Sequence, residues 1–508
     1  MKRARRLAVI ALAAVASACT TLGPDYSEPD IAWLAGWQPG LYGEVAQQAD
    51  AAGLGSWWQR FDDPVLDDLV IKARSANPGL RIAGLRVLES RALQGIASGL
   101  RYPQVQQISA SGVAVTQDTD GGLNDGHKDF RTADAAFTVG WEIDFWGRFQ
   151  RNIESADAAY FASVTNQHDV QVLLAAQVAS LYYSYKTTLQ RIEIARSNVK
   201  LQERSLQITQ KLFDEGQDSE LDVQQAKAQY LGTLATIPAL QLGLTQTRNA
   251  LAAILGRAPG DVPELDAVDS TLPELEAASV AQLPAELLLR RPDVRVAAWQ
   301  AAAQSAQVGV AQADLYPAIS LGGSIGWSGS SVNAVGDTTR LAGGPALSWN
   351  IFNYGQLKNN VRAQDARLQQ ALEGFQATVL SAAREVDDSA AKIAQTGASQ
   401  QILDQSVTAA ERSLAIASKR YREGYSDFQR VLDAQAASFA QADRAIVNRG
   451  DHVAAVIALY KALGGGWQAA TIDNLVPQEM RETMQERTDW GDLLDAPLTE
   501  PPEQGNPP

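Results

Sequence analysis

Cysteine and histidine are almost absent: the 508 residues include one cysteine, Cys19, and three histidines, His127, His168 and His452. A single cysteine excludes an intrachain disulfide, and three scattered histidines leave little material for a His/Cys metal centre, so no metal is expected. No Gly-rich phosphate loop and no nucleophile elbow occurs. Carboxylates are plentiful, but no motif gathers them into a polar site, so neither catalysis nor a cofactor is expected. Basic residues are outnumbered, 43 to 58, for a net charge of −15, and nucleic acid is excluded as a natural partner.

The first residues stand apart. Lys2, Arg3, Arg5 and Arg6 precede the apolar run 7–15, and Ala16-Ser17-Ala18 lead to Cys19. This is the pattern of a secretory signal, with an apolar run too short to span a bilayer. Loss of residues 1–18 moves the net charge from −15 to −19. A lone cysteine is often a buried small hydrophobe. Its place just after small residues instead resembles a bacterial lipobox, in which the cysteine is lipidated; Thr20 follows it, without the aspartate of an inner-membrane retention signal.

The most informative stretch runs from Phe137 to Leu212. Phe137, Val139, Trp141, Ile143 and Phe145 share one face of an alternating strand, and Thr138, Gly140, Glu142 and Asp144 share the other. After Gly147 the period changes. Leu174, Val178, Leu181, Tyr185, Ile192, Ala195, Val199, Gln202, Leu206 and Thr209 keep a heptad spacing in a segment free of Gly and Pro. A helix from Arg148 to Leu212 is about 100 Å long, far more than a bilayer needs, and its charged content suits water. A barrel-wall strand thus feeds directly into a long coiled-coil helix.

The pattern occurs twice. Trp141, Ile143, Trp146 and Gly147 match Trp349, Ile351, Tyr354 and Gly355 at an offset of 208, as do Phe213–Gly216 with Tyr421–Gly424 and Leu255-Gly256 with Leu463-Gly464. Upstream, Pro78 matches Pro292 and Tyr102-Pro103 matches Tyr316-Pro317 at an offset of 214. Such a long internal repeat indicates duplication. Each long helix ends at a glycine turn, Gly216 or Gly424, and a returning helix follows, giving antiparallel coiled-coil hairpins. The first return helix, from Ser219 to Leu255, contains Pro238, where a kink is expected.

Each repeat also holds a strand hairpin. In the second, Ile319, Leu321, Ile325 and Trp327 oppose Ser320, Gly322 and Ser324, so the small polar face should line a wet barrel lumen and the apolar face should meet lipid. Four strands per chain cannot close a barrel around water, and unpaired edges in lipid cost several kcal/mol per group, so several chains must contribute.

The domain reading is a signal peptide 1–18; an extended arm 19–56; a first repeat 57–256, with strand hairpin 102–146 and helical hairpin 148–255; a connector 257–284; a second repeat 285–467, with strand hairpin 316–353 and helical hairpin 355–464; and a C-terminal segment 468–508. Trp57-Trp58 are read as packing the arm onto the body. Residues 478–508 hold eight acids, two arginines and five prolines, a composition that predicts a disordered tail.

Together these features resemble the TolC-like outer-membrane factors in their lipoprotein branch, the NodT/OprM type. The resemblance spans nearly the whole mature chain. It rests on Gly23-Pro24-Asp25-Tyr26, the segment Leu283–Asp293 with Arg291-Pro292-Asp293, Arg420–Gly424, and Leu459–Trp467. It implies an α+β membrane protein: a homotrimer with a twelve-stranded barrel in outer-membrane lipid, continuing into a twelve-helix periplasmic tunnel. The implied function is the exit duct of a tripartite efflux or type I secretion system, working with a periplasmic membrane-fusion adaptor and an inner-membrane pump, RND-type by preference. The hairpin tips at Gly216 and Gly424 would dock the adaptor.

The resemblance also carries a gate. It places Asp433 at the narrowest opening and pairs Tyr421 with Asp222 to hold the hairpins shut. Arg430 stands where some members have a second aspartate, and Ser426 where some have a gating arginine. Without the family, Tyr421 is a helix-seam residue and Asp222 a first-turn acid favoured by the helix dipole. The competing reading of the whole chain is a periplasmic coiled-coil lipoprotein adaptor without a pore, which would not need two amphipathic strand hairpins.

Overall fold

The computed structural model describes residues 21–34, 54–117, 128–273, 286–330, 335–336, 338–469 and 471–499. The signal segment, Cys19, most of the 35–56 arm, connector residues 274–284 and residues 500–508 lie outside this set. After Trp57–Phe61, the first repeat runs α1 (Pro64–Ala76), α2 (Pro78–Gly99), β1 (Val105–Gln117), β2 (Lys128–Ile143), α3 (Arg148–Asp214), α4 (Glu220–Leu234) and α5 (Thr236–Ile254). The second runs α6 (Pro292–Ala313), β3 (Ala318–Gly329), β4 (Thr338–Ser348), α7 (Gln356–Arg422) and α8 (Phe428–Ala462).

The duplication is preserved in length as well as order. Helices α2 and α6 both have 22 residues, and α3 and α7 both have 67. Pro78 and Pro292 sit at the first helical position, where their missing N–H costs nothing. Gly147 and Gly355 precede the long helices with φ of 73° and 85°. At Gly147 a Cβ would also lie 2.6 Å from the Thr21 side chain, so the strand-to-helix joint has no room for one. The return helix of the first repeat breaks at Ala235, with Pro238 in the first turn of α5, as the sequence requires.

The four strands form one antiparallel sheet in chain order. Strand β2 begins at Lys128, well before the alternating segment from Phe137, and pairs β1 on one side and β3 on the other. Both outer edges, β1 and β4, are unpaired in the single chain.

The core concentrates where the helices meet the connector. Trp57 is fully buried and stacks on Tyr460 at 5.2 Å, and Phe61, Tyr182, Tyr183, Leu251 and Leu255 pack around them, so the Trp57-Trp58 pair is a packing device. The repeats close in equivalent ways with different side chains. Asn77 Nδ2 donates to the Ile254 carbonyl at 2.8 Å, and Arg291 Nη1 donates to the Ala462 carbonyl at 2.7 Å; Asn77 and Arg291, like Ile254 and Ala462, are repeat counterparts. Each side chain satisfies the last turn of its return helix. Arg291 is buried and also binds Asp293 at 2.8 Å and Glu385 at 3.0 Å, tying α6 to α7 and α8.

The terminal segments occupy matching grooves. Residues 21–34 run between α3 and α6: Arg151 Nε on α3 donates to the Leu22 carbonyl at 2.9 Å, Ser305 Oγ on α6 to the Pro24 carbonyl at 3.3 Å, and Arg295 on α6 pairs with Glu28 at 3.0 Å. The C-terminal segment runs along α2, and the tail expected to be disordered is folded as far as Thr499. It contains α9 (Gln478–Arg487) and buries Leu475, Val476, Met484 and Leu494 against Val87, Leu88, Tyr160 and Phe161. Arg91, the counterpart of Ser305, donates to the carbonyls of Leu493, Ala496 and Pro497 at 3.2, 2.8 and 3.2 Å. A few well-placed apolar residues outweigh the acidic average composition of this stretch.

Candidate functional site

The sheet separates two chemistries. Residues opposite one another in an antiparallel pair point to the same face, so the register aligns Ile108, Phe137, Ile325 and Leu341 in one row and Gln107, Thr138, Ser324 and Ala342 in the next. Trp141, Leu321 and Pro345 continue the apolar face; Glu142, Ser320 and Ala346, then Gly140, Gly322 and Gly344, continue the small and polar one. Ile108 and Leu341 are each 81% exposed, an apolar surface that water alone does not account for. Below β4, Trp349, Phe352 and Tyr354 are also exposed, at the level where aromatic side chains mark a membrane boundary. Among the described residues, no helix is long and apolar enough to cross a membrane.

At the far end, the tips of the two helical hairpins are built alike. Gly216 and Gly424 adopt φ of 72° and 77°. Gln217 N donates to the Leu212 carbonyl and Tyr425 N to the Arg420 carbonyl, both at 2.8 Å, closing the last turns of α3 and α7. Ala226, Phe428, Val431 and Leu432 then form a small core between the hairpins, with the Tyr421 ring 5.1 Å from Phe428.

Tyr421 and Asp222 are not brought into contact as expected. The Tyr421 hydroxyl donates to Asp218 Oδ2 at 2.9 Å. Asp222 is taken by its own helix: Ser219 Oγ donates to Asp222 Oδ2 at 2.5 Å and accepts from the Asp222 N–H at 3.3 Å. The cap claims Asp222, and Asp218, in the turn itself, reaches the other hairpin. Partial burial, the bond to Asp218 and the nearby Asp222 charge all push the Tyr421 phenol well above its ordinary range, so it remains a donor.

Asp433 and Arg430 are exposed on the first turns of α8. Asp433 Oδ1 accepts from Gln429 Nε2 at 2.8 Å. Further up, three links tie α8 to the first hairpin. Gln229 Nε2 donates to the Leu432 carbonyl at 3.1 Å, the buried Gln435 Nε2 to Ser205 Oγ at 2.8 Å, and Arg191 Nε to Asp443 Oδ1 at 2.7 Å. Asp218, Gln435 and the Arg191–Asp443 pair were missed from the sequence. The seam positions Gln202 and Thr209, both polar and both buried, were the signal that this seam is not wholly apolar.

Two further perturbed groups lie at the equator, the level where the helices meet the connector. Burial pulls His168, stacked on Trp467 at 4.3 Å, down to about 4. Burial, then the Asp293 charge, push Asp169 up to about 6, against the opposing pull of Arg291 and Lys461. Among the described residues no cluster of three or more His, Cys, Asp or Glu is arranged to hold a metal.

Comparison with known proteins agrees with this geometry. The family model described as "Outer membrane efflux protein" matches residues 69–257 and 283–465. The chain is 29% identical over 469 residues to the pyoverdine export outer membrane protein OpmQ of Pseudomonas putida, covering 92% of this chain and 98% of the relative. It is 30% identical over 458 residues to the toluene efflux pump outer membrane protein TtgI of P. putida, covering 89% and 96%. Among solved structures, the outer-membrane channel OprN superposes with a TM-score of 0.80 at 31% identity, over 88% of this chain and 99% of that one.

Proposed function

This chain belongs to the outer membrane efflux protein family, and we propose that it works as the passive exit duct of a tripartite export machine, carrying cargo handed over by an inner-membrane pump and a periplasmic adaptor to the exterior. It is an outer-membrane channel that extends into the periplasm. The observation that carries the duct reading is the joining of a two-faced sheet to 67-residue helices through the short segments 144–147 and 349–355, twice in one chain. Lipid contact at one end and a water-filled helical tunnel at the other are then parts of one wall. A pore-free adaptor has no use for the exposed apolar sheet face, which sets that reading aside.

Three copies close the structure, since four strands are too few for an aqueous barrel. Ser320, Gly322 and Ser324 line the lumen. The tips at Gly216 and Gly424 meet the adaptor, while Tyr421 with Asp218, and the exposed Asp433 with Arg430 beside it, form the periplasmic closure. Cys19 carries a lipid that anchors the arm beside the barrel: Leu22 N donates to the Trp146 carbonyl at 3.1 Å, so the chain reaches the foot of the sheet a few residues after Cys19.

Two measurements test this reading. On a denaturing gel the unheated protein should migrate as a large heat-labile species, whereas a coiled-coil adaptor would migrate as a monomer with or without heating. Labelled palmitate should enter the mature protein but not its Cys19→Ser variant; equal incorporation would remove the lipid anchor.

A further inference from the structure

At the foot of the sheet, a cavity of about 310 Å³ lies between the end of α2, the last residues of β2 and the start of α3. Leu100, Trp141, Phe145 and Phe149 give it apolar walls, and Arg101 and Asp144 bring charge to its lining. Thr21 closes one side, packed so tightly on Gly147 that no Cβ fits between them. Trp141 shares the apolar sheet face with Leu321 and Pro345 and is 38% exposed, so the cavity continues the lipid-facing surface at its periplasmic edge.

The charges around this joint are unevenly matched. Arg148 pairs with Glu142 at 2.8 Å and with Asp314 at 3.7 Å, and Arg151 pairs with Asp25 at 2.7 Å and Glu154 at 2.8 Å. Arg101 has no carboxylate partner among the described residues; its Nη2 donates to Gln150 Oε1 at 3.3 Å. The Gln150 N–H donates to Asp144 Oδ2 at 2.8 Å, which uses one carboxylate oxygen to satisfy the start of α3. Gln150 thus holds a cation through its side chain and an anion through its backbone, and the two do not neutralise each other.

We infer that this cavity binds the headgroup of one phosphatidylethanolamine molecule from the periplasmic leaflet, with its phosphate on Arg101, its ammonium on Asp144 and its glycerol end against Trp141 and Leu100. The inference rests on the lipid-facing reading of the sheet and goes beyond it by naming a lipid and the residues that select it. A guanidinium without a carboxylate partner offers a fork of N–H donors to phosphate oxygens. The apolar walls then lead the acyl chains from the cavity onto the exposed face of the sheet.

The charge pattern selects among phospholipids. A primary ammonium can donate hydrogen bonds to the Asp144 carboxylate, a choline headgroup has no N–H to donate, and a glycerol headgroup leaves the lipid anionic beside an anion. The second repeat lacks both charges: the counterpart of Arg101 is Leu315 and that of Asp144 is Phe352. The site therefore occurs once per chain and three times per trimer, although the joint itself is duplicated.

The test is native mass spectrometry of the delipidated trimer in detergent, titrated in turn with phosphatidylethanolamine, phosphatidylcholine and phosphatidylglycerol of identical acyl chains. The unaltered trimer should retain up to three phosphatidylethanolamine molecules and hold the other two lipids about tenfold more weakly, the scale of one lost hydrogen bond to a charged group. Arg101→Gln should weaken all three lipids. Asp144→Asn, which keeps an acceptor for the Gln150 N–H, should weaken phosphatidylethanolamine alone and abolish its preference. Leu100→Trp, which fills the cavity and leaves both charges in place, should also lower its retention. Equal retention of the three lipids, or retention unchanged by Arg101→Gln and Asp144→Asn in a trimer that still forms, would overturn the site. So would uptake of phosphatidylethanolamine by Cys19→Ser but not by the unaltered protein, since the covalent acyl chain would then be the occupant. Failure of the unaltered protein to insert into lipid vesicles would instead remove the lipid-facing reading itself.

Discussion

The Tyr421 hydroxyl donates to Asp218 at 2.9 Å across the gap between the two helical hairpins, while Asp222, four residues further on, caps its own helix through Ser219. Two aspartates of similar position thus do different work. A hydrogen bond to a charged group contributes about 1.5–3 kcal/mol, and three such ties per trimer favour a closed tip. Tyr421→Phe combined with Asp218→Ala should raise single-channel conductance. Asp222→Ala should leave conductance near the wild-type value and instead loosen the start of α4 by about 1 kcal/mol. A conductance rise from Asp222→Ala alone would transfer the tie to that residue.

The two faces of β3 make opposite predictions one residue apart. Leu321 points with Trp141 and Pro345, and Ser320 with Glu142 and Ala346. Lysine at Leu321 should cost about 2–4 kcal/mol near the membrane midplane, whereas lysine at Ser320 should assemble and alter ion selectivity. Folding yield into lipid vesicles measures the first effect and reversal potentials the second; equal assembly losses would contradict the register.

The equatorial closure can be weighed by its two versions. Arg291→Ala takes the buried cation from Asp293 and Glu385 and the donor from the Ala462 carbonyl, so it should cost about 1.5–3 kcal/mol. Asn77→Ala, at the neutral counterpart, should cost about 1 kcal/mol. Thermal dissociation of the trimer, followed by gel mobility, gives the order of the two.

Asp169 supplies a pH dependence. Its folded pKa is raised to about 6 by burial and then by Asp293, so folding disfavours its ionised form. The penalty is full above about pH 6, shrinks as the pH falls below that value, and is gone only below the ordinary carboxylate value of 3.8. Asp169→Asn should therefore raise the melting temperature more at pH 7.5 than at pH 5. An equal gain at both values would point to a cause other than the carboxylate charge.

The long helices, the strand faces and the duplication were legible in the sequence because each rests on a period sustained over many residues, which local exceptions cannot erase. Pro238 placed its own helix break. The partner of Tyr421 was not legible, since Asp218 and Asp222 are equally acidic and equally near; the choice is made by Ser219 Oγ, whose bond occupies one of them. The equivalence of Asn77 and Arg291 was hidden because a neutral amide and a guanidinium reach the same carbonyl by different lengths. The C-terminal segment misled through its average: eight acids in 478–508 obscured Met484 and Leu494, two buried side chains in a short folded stretch.

The central claim, a water-filled duct with a carboxylate ring at its closed tip, is tested most directly by reconstituting the purified trimer in planar bilayers and measuring conductance and reversal potential. Three Asp433 carboxylates brought around a common axis would attract cations and repel anions, Gln429 being the neutral hydrogen-bond partner of Asp433 within the chain. The account predicts discrete, cation-selective conductance steps whose selectivity falls in Asp433→Ala without loss of the trimer. A correctly assembled trimer that inserts into the bilayer and passes no current, even with Tyr421→Phe and Asp218→Ala in place, would contradict it.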